Sequence, residues 1–226
     1  MVFAGTFSIY RPLGSYLKVQ HLYSRIIRGR SIQLRKIDLR SKQYLNVGCG
    51  GNIFENFINL DYQWRPNLDL CWDITRGIPL DDNSLAGIFT EHCLEHIPYA
   101  QVCEVLKDFG RMLRSGGTLR IVVPDAELYV DIYERQKAGE KIDFPNGSHS
   151  DNALGEDVTP MMIVNRVFRD YGHQFAYDYK TLEVMLKRVG FVDIRQETFL
   201  SGRDKALLID SKKRAHESLY VEASKP

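Results

Sequence analysis

The sequence predicts an α/β fold in which a doubly wound, mainly parallel sheet is built from strands separated by helices. Three observations predict it. Short apolar strands alternate with helix-length segments from Tyr44 onward, the first strand closes in Gly48-Cys49-Gly50-Gly51, and acids stand at the ends of the next two, Asp61 and Glu91. Consecutive strands separated by helices run parallel through crossovers that cover both faces of the sheet. With 226 residues, 44% hydrophobic and 26% charged, the chain can bury one sizeable core without disulfides or metals.

Residues 1–41 read as a basic helical extension. Residues 1–43 carry nine Lys/Arg against one acid, Asp38, while the rest of the chain is net acidic. Tyr16, Val19, Tyr23 and Ile26/Ile27 recur at near-helical spacing with bases between them, which predicts a basic amphipathic helix over Ser15–Arg30. The opening MVFAGTFSIY lacks a charged n-region and a cleavage site, and no apolar run approaches the roughly 20 residues of a membrane span. Cys49, Cys71, Cys93 and Cys103 show no paired spacing. They read as reduced thiols, so the expected compartment is the cytoplasm.

Residues 42–226 form the main domain. Strands are predicted at Tyr44–Val47, Phe57–Leu60 with Asp61 at its end, and Leu85–Thr90. Val102, Val105, Leu106, Phe109, Met112 and Leu113 give a strong helical period over Ala100–Arg114, and Ser115-Gly116-Gly117 is expected to stop it. A strand follows over Thr118–Val123. Residues 124–178, with a turn-rich stretch from Phe144 to Thr159, break the rhythm and read as a cap over the strand ends. A helix over Thr181–Val189, closed by Gly190, and strands at Phe191–Glu197 and Ser218–Glu222 complete the chain.

Ligands of open α/β sheets bind beyond the carboxyl ends of strands where the topology switches. Gly48, Gly50 and Gly51 lack side chains, so their backbone N–H groups can approach a ligand closely. The Asp61 carboxylate can accept hydrogen bonds from both hydroxyls of a ribose. Asp73 suits an adenine amino group, with Ile74 as an apolar wall, and Glu91 and His92 end the third strand.

In this order the residues resemble the class I, Rossmann-like S-adenosylmethionine-dependent methyltransferases. The resemblance is carried by Leu45-Asn46-Val47-Gly48-Cys49-Gly50, Ile58-Asn59-Leu60-Asp61, Trp72-Asp73-Ile74, Ile78-Pro79-Leu80-Asp81-Asp82-Asn83-Ser84-Leu85, His92-Cys93-Leu94-Glu95-His96-Ile97 and Leu113-Arg114-Ser115-Gly116-Gly117-Thr118-Leu119-Arg120-Ile121. It spans residues 42–124 strongly and continues through a closing antiparallel hairpin. It implies S-adenosyl-L-methionine as cofactor, held by Asn46, Gly48, Cys49, Gly50, Asp61, Tyr62, Asp73, Ile74, Glu91 and His92. Three departures stand out. Asn46 occupies the place of a frequent acid, Ser115 that of a proline, and Gly51 to Phe57 is too short for the usual first crossover helix. The last feature resembles a bacterial subgroup with a shortened crossover.

Other chemistries fit less well. A nicotinamide dehydrogenase wants a third glycine where Ile53 stands and an acid about 20 residues on. His92-Cys93-Leu94-Glu95-His96 matches the zinc pattern H-x-x-E-H. Zinc, however, needs both histidines on one helix face and a distant third ligand. Here the segment follows a strand directly and Pro98 limits any helix, so no metal is expected.

The expected reaction is methyl transfer to an oxygen, less readily a nitrogen, of a small-molecule or glycan-type acceptor, phosphorylated acceptors included. An oxygen nucleophile needs a base, and His173, His92 and His96 are the candidates. Arg169–Asp178, which contains His173, resembles segments of bacterial enzymes of glycan or natural-product tailoring. A catalytically inactive partner subunit and an RNA methyltransferase are the alternatives. Nucleic acid is disfavoured, because the basic extension has no recognition motif or stacking platform. Weak contact with an anionic membrane through the amphipathic helix, and a homodimer, are further partners considered.

Overall fold

The computed structural model describes residues 15–38, 41–145 and 159–226. The first ten residues, and 146–158 of the turn-rich stretch, lie outside them. The strands are β1 (Tyr44–Val47), β2 (Phe57–Asp61), β3 (Leu70–Cys71), β4 (Leu85–Glu91), β5 (Leu113–Pro124), β6 (Val192–Glu197) and β7 (Ser218–Ser224). They form one sheet in the order β3-β2-β1-β4-β5-β7-β6. Strands β1 to β5 pair in parallel, and β7 runs antiparallel to both β5 and β6. The order reverses between β1 and β4, so the sheet opens at their carboxyl ends.

Alternation along the strands sorts side chains into two cores. Leu45, Val47, Ile58, Leu60, Ile88, Leu119 and Ile121 share the main core with the apolar stripes of two helices. These are α2 (Tyr99–Met112), through Val105, Leu106 and Phe109, and α5 (Tyr179–Arg188), through Leu182, Met185 and Leu186. Each such side chain contributes about 1.5–3 kcal/mol by leaving water. The opposite face buries Phe57, Phe89, Val122 and Tyr220. Among the described residues, Leu207, Phe199 and Ile209 of the β6–β7 connection cover this face, with Phe54.

A buried cation pins that connection. Arg120 on β5 is 0% exposed and donates to Asp210 at 2.5 and 2.8 Å, to Glu222 at 2.9 Å and to the carbonyls of Ser201 and Thr198. Each charge has partners on every side, which such burial requires.

Two boundaries depart from the sequence reading. The helix ends at Met112, and Ser115-Gly116-Gly117 lies inside β5 instead of between elements. Leu113 already pairs with Leu85, and a register shift follows before Gly87 meets Thr118. Gly116 turns there with φ +75°, a conformation glycine adopts at little cost. The two-residue β3 was too short to show a pattern.

The predicted basic helix is α1 (Ser15–Ile27), and it docks on the loop after β2. Gln20 donates to the Trp64 carbonyl, Ser24 Oγ accepts from the Trp64 N–H, and the Arg28 guanidinium sits 3.5 Å over the Tyr62 ring. In the stretch read as a cap, α3 (Ala126–Lys137) and α4 (Pro160–Arg169) share a small core of Tyr129, Ile132, Phe144, Ile163 and Val164. Among the described residues, no helix is long and apolar enough to cross a membrane.

Candidate active site

The glycine turn is held without a crossover helix. Asn46 and Asn59 stand opposite one another on β1 and β2, both almost fully buried. Asn46 Nδ2 donates to the Asn52 carbonyl, while the Asn59 side chain accepts from the Phe54 N–H and donates to the Phe54 carbonyl. Asp69 accepts from the Asn59 backbone at 2.8 Å. This network does the holding that a longer connection does elsewhere. Asn46 therefore acts from behind the loop, with both its amide hydrogens facing protein.

Asp61 ties the turn to the end of β2. Its Oδ2 accepts the Gly50 N–H at 2.8 Å and its Oδ1 the Gln63 N–H at 2.7 Å. A carboxylate has about four acceptor sites, so this half-buried group keeps capacity for further donors. Gly48 and Gly50 both have positive φ, +67° and +54°. A Cβ on Gly48 would meet Cys93 Sγ at 2.6 Å, which brings the β1 and β4 loops into contact, whereas nothing lies within 4 Å of a Cβ on Gly50. Cys49 is buried under this turn, and desolvation pushes its thiol up to about 12. It shapes the loop as a neutral side chain.

The remaining predicted cofactor residues are spread along the same rim. Tyr62 is half exposed, with one ring face under Arg28. Asp73 caps the turn Ile74–Arg76 by accepting from the Thr75 N–H and hydroxyl, and Ile74 packs in the main core. Glu91 accepts the Ser211 N–H at 2.8 Å, which fastens β4 to the β6–β7 connection, and burial raises its carboxyl.

The chain turns sharply after β4. His92 has φ +47°, a conformation that costs a non-glycine residue about 1–3 kcal/mol. Its Nε2 lies 2.8 Å from Ser218 Oγ. The short turn Leu94–His96 then directs Glu95 inward, 1% exposed. Two N–H groups, of Gln174 at 2.7 Å and Phe175 at 3.3 Å, donate to the Glu95 carbonyl and bring the 170–175 segment alongside. The His96 and His173 rings meet edge-on with centroids 4.9 Å apart, and His173 Nδ1 is 2.6 Å from the Val167 carbonyl. All three predicted histidines thus converge. Burial lowers His92 to about 3 and His96 to about 4, and lowers His173 as well, so each imidazole is neutral near pH 7.

Glu95 is the residue that sequence reasoning passed over as a site member. Burial raises its carboxyl to about 8, and no other described residue donates a hydrogen bond to either oxygen. The signal was its place between two histidines in a segment otherwise apolar.

A family model described as a methyltransferase domain matches residues 19–196, more than half of the chain. The chain belongs to this methyltransferase-domain family, and its fold is the Rossmann-like one of the solved structures it resembles. Among solved structures it is similar to an S-adenosylmethionine-dependent methyltransferase from Archaeoglobus fulgidus, at 15% identity over 94% of this chain and 100% of that one, with a TM-score of 0.51. It is also similar to an S-adenosylmethionine-dependent methyltransferase from Thermotoga maritima, at 14% identity over 93% and 98%, with a TM-score of 0.50. No curated protein sequence matches the chain. The residues at the β1–β2 end fit that cofactor: Gly50 leaves open space where a side chain would intrude, and Asp61 retains free acceptor sites beside it.

Proposed function

We propose that the enzyme methylates an oxygen of a small-molecule or glycan-type acceptor, with the cofactor over the β1–β2 end and the acceptor beside the histidine cluster. S-adenosylmethionine supplies an electrophilic methyl group on a sulfonium sulfur. Asp61 accepts from the ribose hydroxyls, while the Gly48–Gly50 turn offers backbone N–H groups and room. Cys49 and Tyr62 shape the rim, and Asp73 and Ile74 flank the adenine. Asn46 and Glu91 act one step removed, by fixing the loops that carry these groups. Holding both reactants in line is itself worth about 7–11 kcal/mol.

The observation that carries the oxygen reading is the orientation of His173. With Nδ1 hydrogen-bonded to the Val167 carbonyl at 2.6 Å, its proton sits on that nitrogen and Nε2 is left as an acceptor. An acceptor hydroxyl needs such a group to take its proton as the new C–O bond forms. His92 and His96 line the same wall. A screen of hydroxylated glycans and small molecules, phosphorylated forms included, with labelled cofactor tests this reading. Label transferred to hydroxyl oxygen supports it; turnover confined to amines overturns it.

A further inference from the structure

We propose that Glu95, His96 and His173 form a binding site for a divalent first-row transition cation. One donor atom from each residue, a carboxylate oxygen and two imidazole nitrogens, lies within 4.8 Å of the other two. Metal–ligand bonds to nitrogen and oxygen run about 2.0–2.2 Å, so small side-chain rotations close this trio around an ion. Two imidazoles with one carboxylate favour zinc, manganese, iron or cobalt over the harder magnesium and calcium.

Three features of the surroundings support a ligand here. Glu95 is 1% exposed, yet no other described residue donates a hydrogen bond to either carboxylate oxygen. His92 Nδ1 at 3.7 Å and His96 Nε2 at 3.8 Å stand too far for a hydrogen bond. Leaving such a group unpaired is costly, and a bound cation removes the cost. Arg214, a cation that could serve, instead pairs with Glu217 at 2.8 Å.

His173 also carries the outer-shell contact typical of a metal-bound imidazole. Its Nδ1 faces the Val167 carbonyl at 2.6 Å, which fixes the tautomer and leaves Nε2 as a ligand atom. The scaffold is rigid as well. The N–H groups of Gln174 and Phe175 donate to the Glu95 carbonyl, so the two ligand-bearing segments are tied beside the site itself.

The H-x-x-E-H pattern of the sequence gains a meaning different from the zinc-protease one. The short turn Leu94–His96 replaces the long helix that pattern usually needs, and the distant ligand is His173. Three protein ligands leave coordination positions open, the arrangement of sites that admit an exogenous oxygen ligand. That last consequence rests on the proposed acceptor side; the cation site does not. With an ion bound, His173 Nε2 is a ligand, so the proton-accepting role proposed for it belongs to the ion-free protein.

Calorimetric titration of the full chain, stripped with chelator and offered Zn²⁺ or Mn²⁺ alone, tests the site without acceptor or turnover. One ion is expected to bind per chain. Glu95→Gln, His96→Ala and His173→Ala should each weaken Zn²⁺ binding by at least about 100-fold, the upper range seen even for outer-shell contacts. His21→Ala, on α1, should leave it unchanged. S-adenosylhomocysteine affinity within about twofold of the parent serves as the fold control, and Glu95→Gln is nearly isosteric. No saturable one-to-one binding, or affinity unmoved by the three substitutions in folded protein, would overturn the site. Because no acceptor is present, failure here leaves the oxygen-acceptor reading to its own screen.

Discussion

The two halves of the strand-end rim are built on opposite principles. At the β1–β2 end each central polar group is engaged: Asn46 with Asn52, Asn59 with Phe54, Asp61 with Gly50 and Gln63. At the β4 end, Glu95 is buried with no other described residue donating a hydrogen bond to its carboxyl, and His92 sits in a left-handed conformation. The first half is satisfied before any ligand arrives. It can present a fixed surface to a cofactor at little reorganisation cost, which is how affinity is gained through preorganisation. The second half stores unmet polar demand, and such places are where function draws on stability. The contrast separates binding from chemistry: substitutions in one half should move affinity, and in the other half turnover.

The largest effect expected is on turnover. His173→Ala should lower the methylation rate about 100- to 10,000-fold, with S-adenosylhomocysteine affinity nearly constant in calorimetry. Equal losses in rate and cofactor affinity would erase the division between the halves. Next comes the buried cation that locks the far face. Arg120→Met leaves Asp210 without its arginine and Glu222 with only the more distant Arg203 at 3.8 Å, and should cost about 3–5 kcal/mol in urea unfolding.

Asp61→Ala should weaken S-adenosylhomocysteine binding by about 1.5–3 kcal/mol, the range for hydrogen bonds to a charged group. Unchanged affinity in folded protein would remove Asp61 from the ribose. The smallest effect concerns the frame. Asp178 caps α5 by accepting the Thr181 N–H at 2.8 Å, and Asp178→Ala should cost about 0.5–2 kcal/mol of stability without altering cofactor affinity. The Thr181 hydroxyl, with the Thr181 N–H behind it, holds the Asp178 carboxyl below its usual value. Its contribution is therefore complete above the unfolded carboxyl range and fades as pH falls through the folded value.

Local pattern made the sheet legible. Tyr44–Val47 and the apolar stripe of α2 announce themselves through spacing, and Gly48 and Gly50 do so because only residues without a side chain suit their turn. The short crossover was legible as an absence, but its remedy was not. That Asn46 faces Asn59 depends on register between strands, which single-sequence periodicity does not carry. The same holds for Arg120, whose partners lie 90 and 102 positions away. Glu95 was hidden for another reason. An acid in a loop ordinarily faces water, and only the backbone bonds from Gln174 and Phe175 reveal that this one is enclosed. The convergence of His92, His96 and His173 was expected as three alternatives for one role, whereas the fold makes them neighbours.

A crystal structure with S-adenosylhomocysteine tests the division of the rim most directly. The ribose hydroxyls should lie on the Asp61 carboxylate, and the sulfur should point across Cys93 toward the histidine cluster, leaving room for an acceptor between it and His173. Ribose away from Asp61, or a sulfur more than about 8 Å from the His173 imidazole with no space or water path between them, would contradict it.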